Sequence, residues 1–222
     1  MASAPKTRPA SSPKAYLIAY NVFSTLSWFY LLIVTLRHVL FSPSPSLHAR
    51  AVTTYAAVGR VVAFVQTTAV LEVVHVLLGW VRSPLATTAM QVSSRIILVW
   101  AIAEQFKSAQ VFPLYATMIL SWSVTEVIRY AFYACSLLSI ESKLLTYLRY
   151  TTFYVLYPTG AGSEAFVIFA SVPSWGTWSL WAFIRFAMFV IWWPGLYVMY
   201  TYMMAQRRKV LGGAKVKAKK TQ

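Results

Sequence analysis

Long apolar runs separated by short polar or proline-rich breaks are the dominant pattern of this sequence. The runs cover residues 15–36, 61–81, 85–106, 112–138, 144–172 and 178–204. A helix needs about 20 apolar residues to cross a bilayer. Backbone groups in lipid must bond within the protein, and runs of this length, unlike ten-residue alternations, favour helices over a barrel. The pattern therefore predicts an all-α polytopic membrane protein, a bundle of six transmembrane helices.

The ends of the chain have a different composition. Residues 1–14 are basic and rich in Pro, Ser and Ala, which predicts a disordered tail, and residues 15–206 would form the membrane domain. Residues 207–222 form a second basic tail. Its last residues, Lys219-Lys220-Thr221-Gln222, resemble a dilysine retrieval signal of the endoplasmic reticulum, which is an address and not an anchor.

Composition agrees with the membrane interpretation. The chain is 59% hydrophobic and 11% charged, whereas soluble domains average about 45–50% and about 25%. Half of the 20 basic residues lie in the tails, so the positive-inside bias predicts cytosolic termini and an even number of spans. Four spans with two longer buried segments remain an alternative. Because the charge lies outside the apolar runs, we predict no nucleic-acid partner. A single Cys135 excludes an intramolecular disulfide.

Several ionisable residues nevertheless lie inside the apolar runs. They include Glu72, His75, Arg95, Glu126, Arg129, Glu164 and Arg185. A charge at mid-bilayer costs about 2.5–3.5 kcal/mol and marks a functional site by default. Glu126 and Arg129 share a helix face and can pair, either as an internal ion pair or as part of a ligand site. Arg95 and Arg149 could each neutralise a glutamate or meet an anionic ligand, and the sequence leaves the partners open.

Glu72 and His75 form a Glu-x-x-His motif, which binds di-iron when two copies meet in one bundle. The motif occurs once, and the chain has only three histidines. We therefore predict a hydrogen-bonded, packed histidine and no metal site.

The segment 148–164 carries the most specific chemistry. Pro158 and Gly160 predict an interruption of the fifth helix at residues 157–160, which membrane proteins tolerate only beside protein or a polar cavity. Tyr157 and Glu164 are two turns apart on one face, about 10 Å along the axis. In apolar surroundings Tyr157 keeps its proton and Glu164 becomes a stronger base, so the two form a candidate acid–base pair. A structural kink with a capping glutamate is the alternative.

The string Tyr157-Pro158-Thr159-Gly160-Ala161-Gly162-Ser163-Glu164 matches a Y-P-x-G-x-x-x-E signature. With it, the chain resembles the 3-hydroxyacyl-CoA dehydratases of the endoplasmic reticulum, once named protein tyrosine phosphatase-like proteins. Further similar stretches cover nearly the whole chain outside the tails. They are Leu71 to His75, Trp122-Ser123, Glu126 to Tyr130 and Leu148 to Thr151.

The resemblance implies removal of water from a very-long-chain (3R)-3-hydroxyacyl-CoA to give a trans-2-enoyl-CoA, the third step of fatty acid elongation. It implies Tyr157 and Glu164 as the catalytic pair, with their order as acid and base open, and no cofactor. Substrate-binding or supporting roles are expected for Gly160, Arg149, Arg129, Glu126 and Arg95. Membrane lipid and the elongase, ketoacyl reductase and enoyl reductase of the cycle are the expected partners, in the endoplasmic reticulum membrane.

Two functions of other classes compete with this hypothesis. A small transporter would use the buried Glu and Arg side chains to line a polar path. A non-catalytic scaffold of the elongation complex would keep the fold without the reaction. Dependence of product formation on Tyr157 separates the dehydratase from both.

Overall fold

The computed structural model describes residues 14–219, and every regular element in this range is helical. In chain order the elements are α1 (Lys14–Phe41), α2 (Leu47–Val52), α3 (Thr54–Thr68), α4 (Val70–Leu77), α5 (Leu85–Ile96), a π-helical segment (Ile97–Ala103), α6 (Lys107–Gln110), α7 (Leu114–Leu137), α8 (Lys143–Arg149), α9 (Phe153–Ala170) and α10 (Leu180–Lys219). The prediction of an all-α protein is confirmed for these residues. The predicted disordered tail up to residue 13, and the retrieval signal from residue 220 onward, lie outside them.

Four helical stretches are long and apolar enough to cross a membrane. They are Lys14–Phe41, Leu47–Leu77, Leu85–Ala103 and Leu180–Gly212. Helices α7 and α9 are not among them; α7 carries Glu126 and Arg129, and α9 carries Glu164 beside a run of small residues. Four helices thus have the length and composition of membrane spans, and the count of six spans stays a prediction.

Helix α1 has the side-chain distribution of a helix that packs in lipid. Its buried residues recur every three or four positions and include the small polar Ser24 and Thr35 beside Trp28. Large apolar side chains such as Phe29 and Ile33 are exposed on the other faces. Small and polar groups inside with large apolar groups outside are typical of membrane helix packing.

Helix α7 lies at the centre of the bundle. It packs along α1 on one side and along α9 on the other, and α10 covers α9. Met118, Ile119 and Trp122 of α7 are at most 2% exposed. Trp122 meets Trp28 of α1 edge to face, with ring centroids 6.4 Å apart. The two rings therefore lie in the interface of α1 and α7, which is the most extensive contact between helices among the described residues.

Several helix boundaries differ from the predicted ones. The second helical stretch begins at Leu47 rather than residue 61, where Ser46 caps α2 by accepting a hydrogen bond from the Ala49 amide at 3.2 Å. The fifth is divided into α8 and α9 by turns at residues 150–152. Helix α10 continues to Lys219, through much of the segment predicted as a tail. Hydropathy detects the apolar part of a helix, whereas caps and turns set its ends.

The predicted interruption at residues 157–160 is wrong, because α9 is continuous through Pro158. Proline has no amide proton for the carbonyl of Tyr154, one turn earlier. The hydroxyl of Tyr200 on α10 donates a hydrogen bond to that carbonyl at 3.4 Å. The missing helical bond is thus replaced by a contact between helices, which lets the helix continue.

Helices α7 and α9 approach each other closely at Gly160. A Cβ atom at this position would lie 3.3 Å from the Cβ of Ser121. Beside it, the hydroxyls of Ser121 and Thr159 are 3.1 Å apart. The small residue therefore sets the distance between the two central helices.

Gly160→Val is expected to lower the free energy of unfolding by about 1–3 kcal/mol, because the added atoms must push α7 and α9 apart. Thermal unfolding in detergent measures the change. Gly162→Val is the matched control, since a Cβ atom there meets nothing within 4 Å. Equal loss of stability in both variants would contradict the close approach at Gly160.

Candidate active site

The carboxylate of Glu164 is held by two tryptophan side chains from different helices. The indole nitrogen of Trp122 on α7 donates to Oε1 at 2.5 Å, and that of Trp192 on α10 donates to Oε2 at 3.1 Å. A carboxylate only accepts hydrogen bonds, so two N–H donors suit its ionised form. Both oxygens are fixed, and each keeps a further lone pair.

Tyr157 lies on the same face of α9 as Glu164, two helical turns closer to the start of the helix. Because α9 is continuous, the two positions are about 10 Å apart along the axis. Tyr157 is half-buried. The continuous helix therefore gives the spacing that was predicted on the assumption of an unbroken axis.

A network of four charged side chains links α4, α5 and α7. Arg95 bonds to Oε1 of Glu126, and the Nε of Arg129 donates to Oε2 of the same carboxylate at 2.5 Å. Arg129 also donates two hydrogen bonds to Glu72, at 2.8 and 2.7 Å. The predicted pairing of Glu126 with Arg129 is confirmed. Two arginines and two glutamates compensate each other, and Glu126, with a side chain 3% exposed, lies at the centre.

The two residues of the Glu-x-x-His motif have separate partners within the protein. Glu72 binds Arg129 and accepts a hydrogen bond from the hydroxyl of Tyr130. The Nε2 of His75 lies 3.2 Å from the hydroxyl of Tyr16, and its ring stacks on Trp80. The predicted packed, hydrogen-bonded histidine is confirmed.

Trp122 connects the charge network to Glu164. The guanidinium carbon of Arg95 lies 4.8 Å from the centre of the Trp122 ring, whose nitrogen binds the Glu164 carboxylate. Of the expected supporting residues, Arg95, Glu126 and Arg129 thus belong to one assembly next to the candidate base.

The other two supporting residues make contacts that do not belong to the charge network or to the hydrogen bonds of Glu164. Gly160 is buried against Ser121, at the contact of α7 and α9. Arg149, at the end of α8, donates to the hydroxyl of Tyr133 at 3.0 Å and lies over the rings of Phe132 and Tyr133.

Sequence reasoning missed the two indoles that bind Glu164. Trp122 was part of a motif that carries the family resemblance, but nothing in its spacing relates it to a residue 42 positions later. Trp192 is one of two adjacent tryptophans in a long apolar run. The missing information is tertiary, because three helices must pack before these groups meet.

Apolar outer faces, compensated interior charge, and a phenol and a carboxylate on one partly buried helix face define a helical protein that has the features of a membrane protein and a candidate acid–base site. The model of the protein tyrosine phosphatase-like (PTPLA) family matches residues 66–213. The chain belongs to this family, so the resemblance to it is confirmed.

Curated relatives are similar over most of their length. The very-long-chain (3R)-3-hydroxyacyl-CoA dehydratase hpo-8 of Caenorhabditis elegans is 39% identical over 222 residues, covering 93% of this chain and 99% of that protein. A probable very-long-chain (3R)-3-hydroxyacyl-CoA dehydratase of Schizosaccharomyces pombe is 40% identical over 199 residues, covering 88% of this chain and 92% of that protein. The human very-long-chain (3R)-3-hydroxyacyl-CoA dehydratase 2 is 33% identical over 211 residues, covering 89% and 81%. No solved structure matches the chain.

Proposed function

We propose that this chain is a very-long-chain (3R)-3-hydroxyacyl-CoA dehydratase, a carbon–oxygen lyase that forms the trans-2-enoyl-CoA during fatty acid elongation. The proposal rests on the hydrogen bonds and the charges around the Glu164 carboxylate. Its carboxylate is fixed by two neutral donors, and among the described side chains no cation lies within ion-pair distance, in contrast to Glu72 and Glu126. A carboxylate without a counter-charge is free to accept a proton. The names of the relatives supply the substrate class.

In the proposed reaction Glu164 removes the proton from the carbon next to the thioester. The electron pair of that C–H bond forms the new double bond, and the bond between C3 and the hydroxyl oxygen breaks. Tyr157 gives its proton to the departing oxygen, so that water leaves. Glu164 then holds a proton that Tyr157 lacks, and its transfer back restores both groups. Glu164 suits the role of base because the two indole donors favour its ionised form, which has no proton, whereas Tyr157 carries a proton to donate.

We further propose six membrane spans with both termini in the cytosol of an endoplasmic reticulum membrane. Helix α7 has 24 residues and α9 has 18, about 36 and 27 Å of helix. Both pack among the four apolar stretches. The acyl chain would lie between helices, and the CoA phosphates at the cytosolic ends, where Arg149 keeps donors beyond its bond to Tyr133. The other enzymes of the elongation cycle are the proposed partners.

The direct test uses the purified protein in detergent with synthetic (3R)-3-hydroxyacyl-CoA of several chain lengths. Chromatography should show the trans-2-enoyl product without any added cofactor. Folded protein that gives no product at any chain length would contradict the proposed function. Flux of a solute into liposomes, independent of Tyr157, would instead support a transporter.

Tyr157→Phe is expected to lower the turnover number by about 10²-fold, the lower end of general acid–base effects, since water can protonate part of the leaving hydroxyl. The phenylalanine ring preserves packing, so thermal unfolding should not change. Tyr197→Phe is the control, because Tyr197 of α10 is 70% exposed. An unchanged turnover number in the Tyr157 variant would remove Tyr157 from the mechanism.

A further inference from the structure

The two indoles that hold Glu164 are in different surroundings. Trp122 is 2% exposed, makes the shorter hydrogen bond and lies between Trp28 and the guanidinium of Arg95. Trp192 is half-buried and its hydrogen bond is longer. The donor of Trp122 is thus the more strongly fixed of the two.

The position of Arg95 also affects the strength of that donor. A cation over the face of an indole is attracted to its electron density. The polarised ring carries more positive charge at its N–H edge, so the hydrogen bond to a carboxylate becomes stronger. Arg95 cannot move away from the ring easily, because it is also bound to Glu126, one helical turn after Trp122 on α7. The charge network therefore acts on Glu164 through the neutral side chain of Trp122, and the Glu164 carboxylate forms no ion pair with it.

We propose that Trp122 is the positioning residue of the general base: its N–H, polarised by Arg95, orients the Glu164 carboxylate toward the substrate. This inference rests on the proposed function. Trp122 does not touch the reacting atoms in this mechanism; it acts through Glu164. A salt bridge in its place would hold the carboxylate equally well but would weaken it as a base, since an opposite charge favours the ionised form.

The test replaces Trp122 by phenylalanine, or by benzothienylalanine, which keeps the fused ring and lacks only the N–H. Loss of one hydrogen bond to a charged group predicts a turnover number about 10- to 100-fold lower. The KM for hydroxyacyl-CoA should stay within about twofold, since substrate contacts remain. Trp193→Phe, the neighbouring tryptophan on α10, is the control and should leave both constants unchanged.

A second comparison shows whether Trp122 acts through Glu164. In a Glu164→Gln background, Trp122→Phe should cause little further loss of turnover, because the carboxylate it orients is absent. Independent, multiplying losses would overturn the inference, and so would full turnover in the benzothienylalanine protein. If the unsubstituted protein makes no enoyl product, the proposed function fails; if it does and the Trp122 variants match it, only the positioning role fails.

Discussion

Replacement of Glu164 by glutamine is expected to lower the turnover number by about 10²–10⁴-fold, the usual contribution of a general base. Glutamine has nearly the same shape and can accept the hydrogen bonds of Trp122 and Trp192 through its single carbonyl oxygen only in part. It cannot take up the proton next to the thioester. The loss should therefore appear in the turnover number far more than in the KM, as for an interaction made in the transition state.

Glu141→Gln is the matched control, because Glu141 is exposed before α8 and has no described partner. Both variants should unfold at the temperature of the unsubstituted protein in the same detergent. Single-turnover measurements extend the range over which the residual rate of the Glu164 variant can be determined. A Glu164→Gln protein that retains a tenth of the turnover number or more would contradict the assignment of the base.

Glu126→Gln is expected to have the largest effect on stability, up to about 3–5 kcal/mol, because it removes a buried carboxylate and leaves Arg95, whose side chain is 25% exposed, without its counter-charge. Glu126 binds both Arg95 and Arg129, whereas Arg129 keeps two hydrogen bonds to Glu72. The uncompensated charge therefore falls mainly on Arg95. Thermal unfolding in detergent measures the loss.

The double variant Arg95→Gln/Glu126→Gln distinguishes charge compensation from loss of packing. Removal of both charges restores neutrality, so the double variant should be less destabilised than the sum of the two single variants. Additive losses would show that the pair contributes no coupling energy. The comparison also bears on activity, because Arg95 lies over the ring that binds Glu164.

The helical class and the buried charges were predictable because both depend on composition along one helix. The pairing of Glu126 with Arg129 followed from a spacing of three, and the separation of Tyr157 and Glu164 from a spacing of seven. Both distances are fixed by helix geometry alone. The partners of Arg95 and Glu72 were left open, because they lie on other helices.

The continuity of α9 at Pro158 shows where local reasoning fails. The sequence shows that Pro158 has no amide donor for the Tyr154 carbonyl, but it does not show which group replaces that donor. The hydroxyl of Tyr200 reaches this carbonyl only after α10 has packed against α9. The same holds for Trp192 and the Glu164 carboxylate. In both cases a residue on α10, far away in the sequence, donates a hydrogen bond to a polar group on α9.

The charge network has a consequence for biogenesis in the proposed membrane arrangement. Its members follow one another in the chain with alternating sign, as Glu72, Arg95, Glu126 and Arg129. During synthesis from the N-terminus, each new charge therefore cancels the previous one, and the nascent bundle never holds more than one unmatched charge from this set. An isolated charge costs about 2.5–3.5 kcal/mol on insertion. Once α7 has entered, Arg95 can bind Glu126, and Arg129 can bind both Glu72 and Glu126, as in the folded structure.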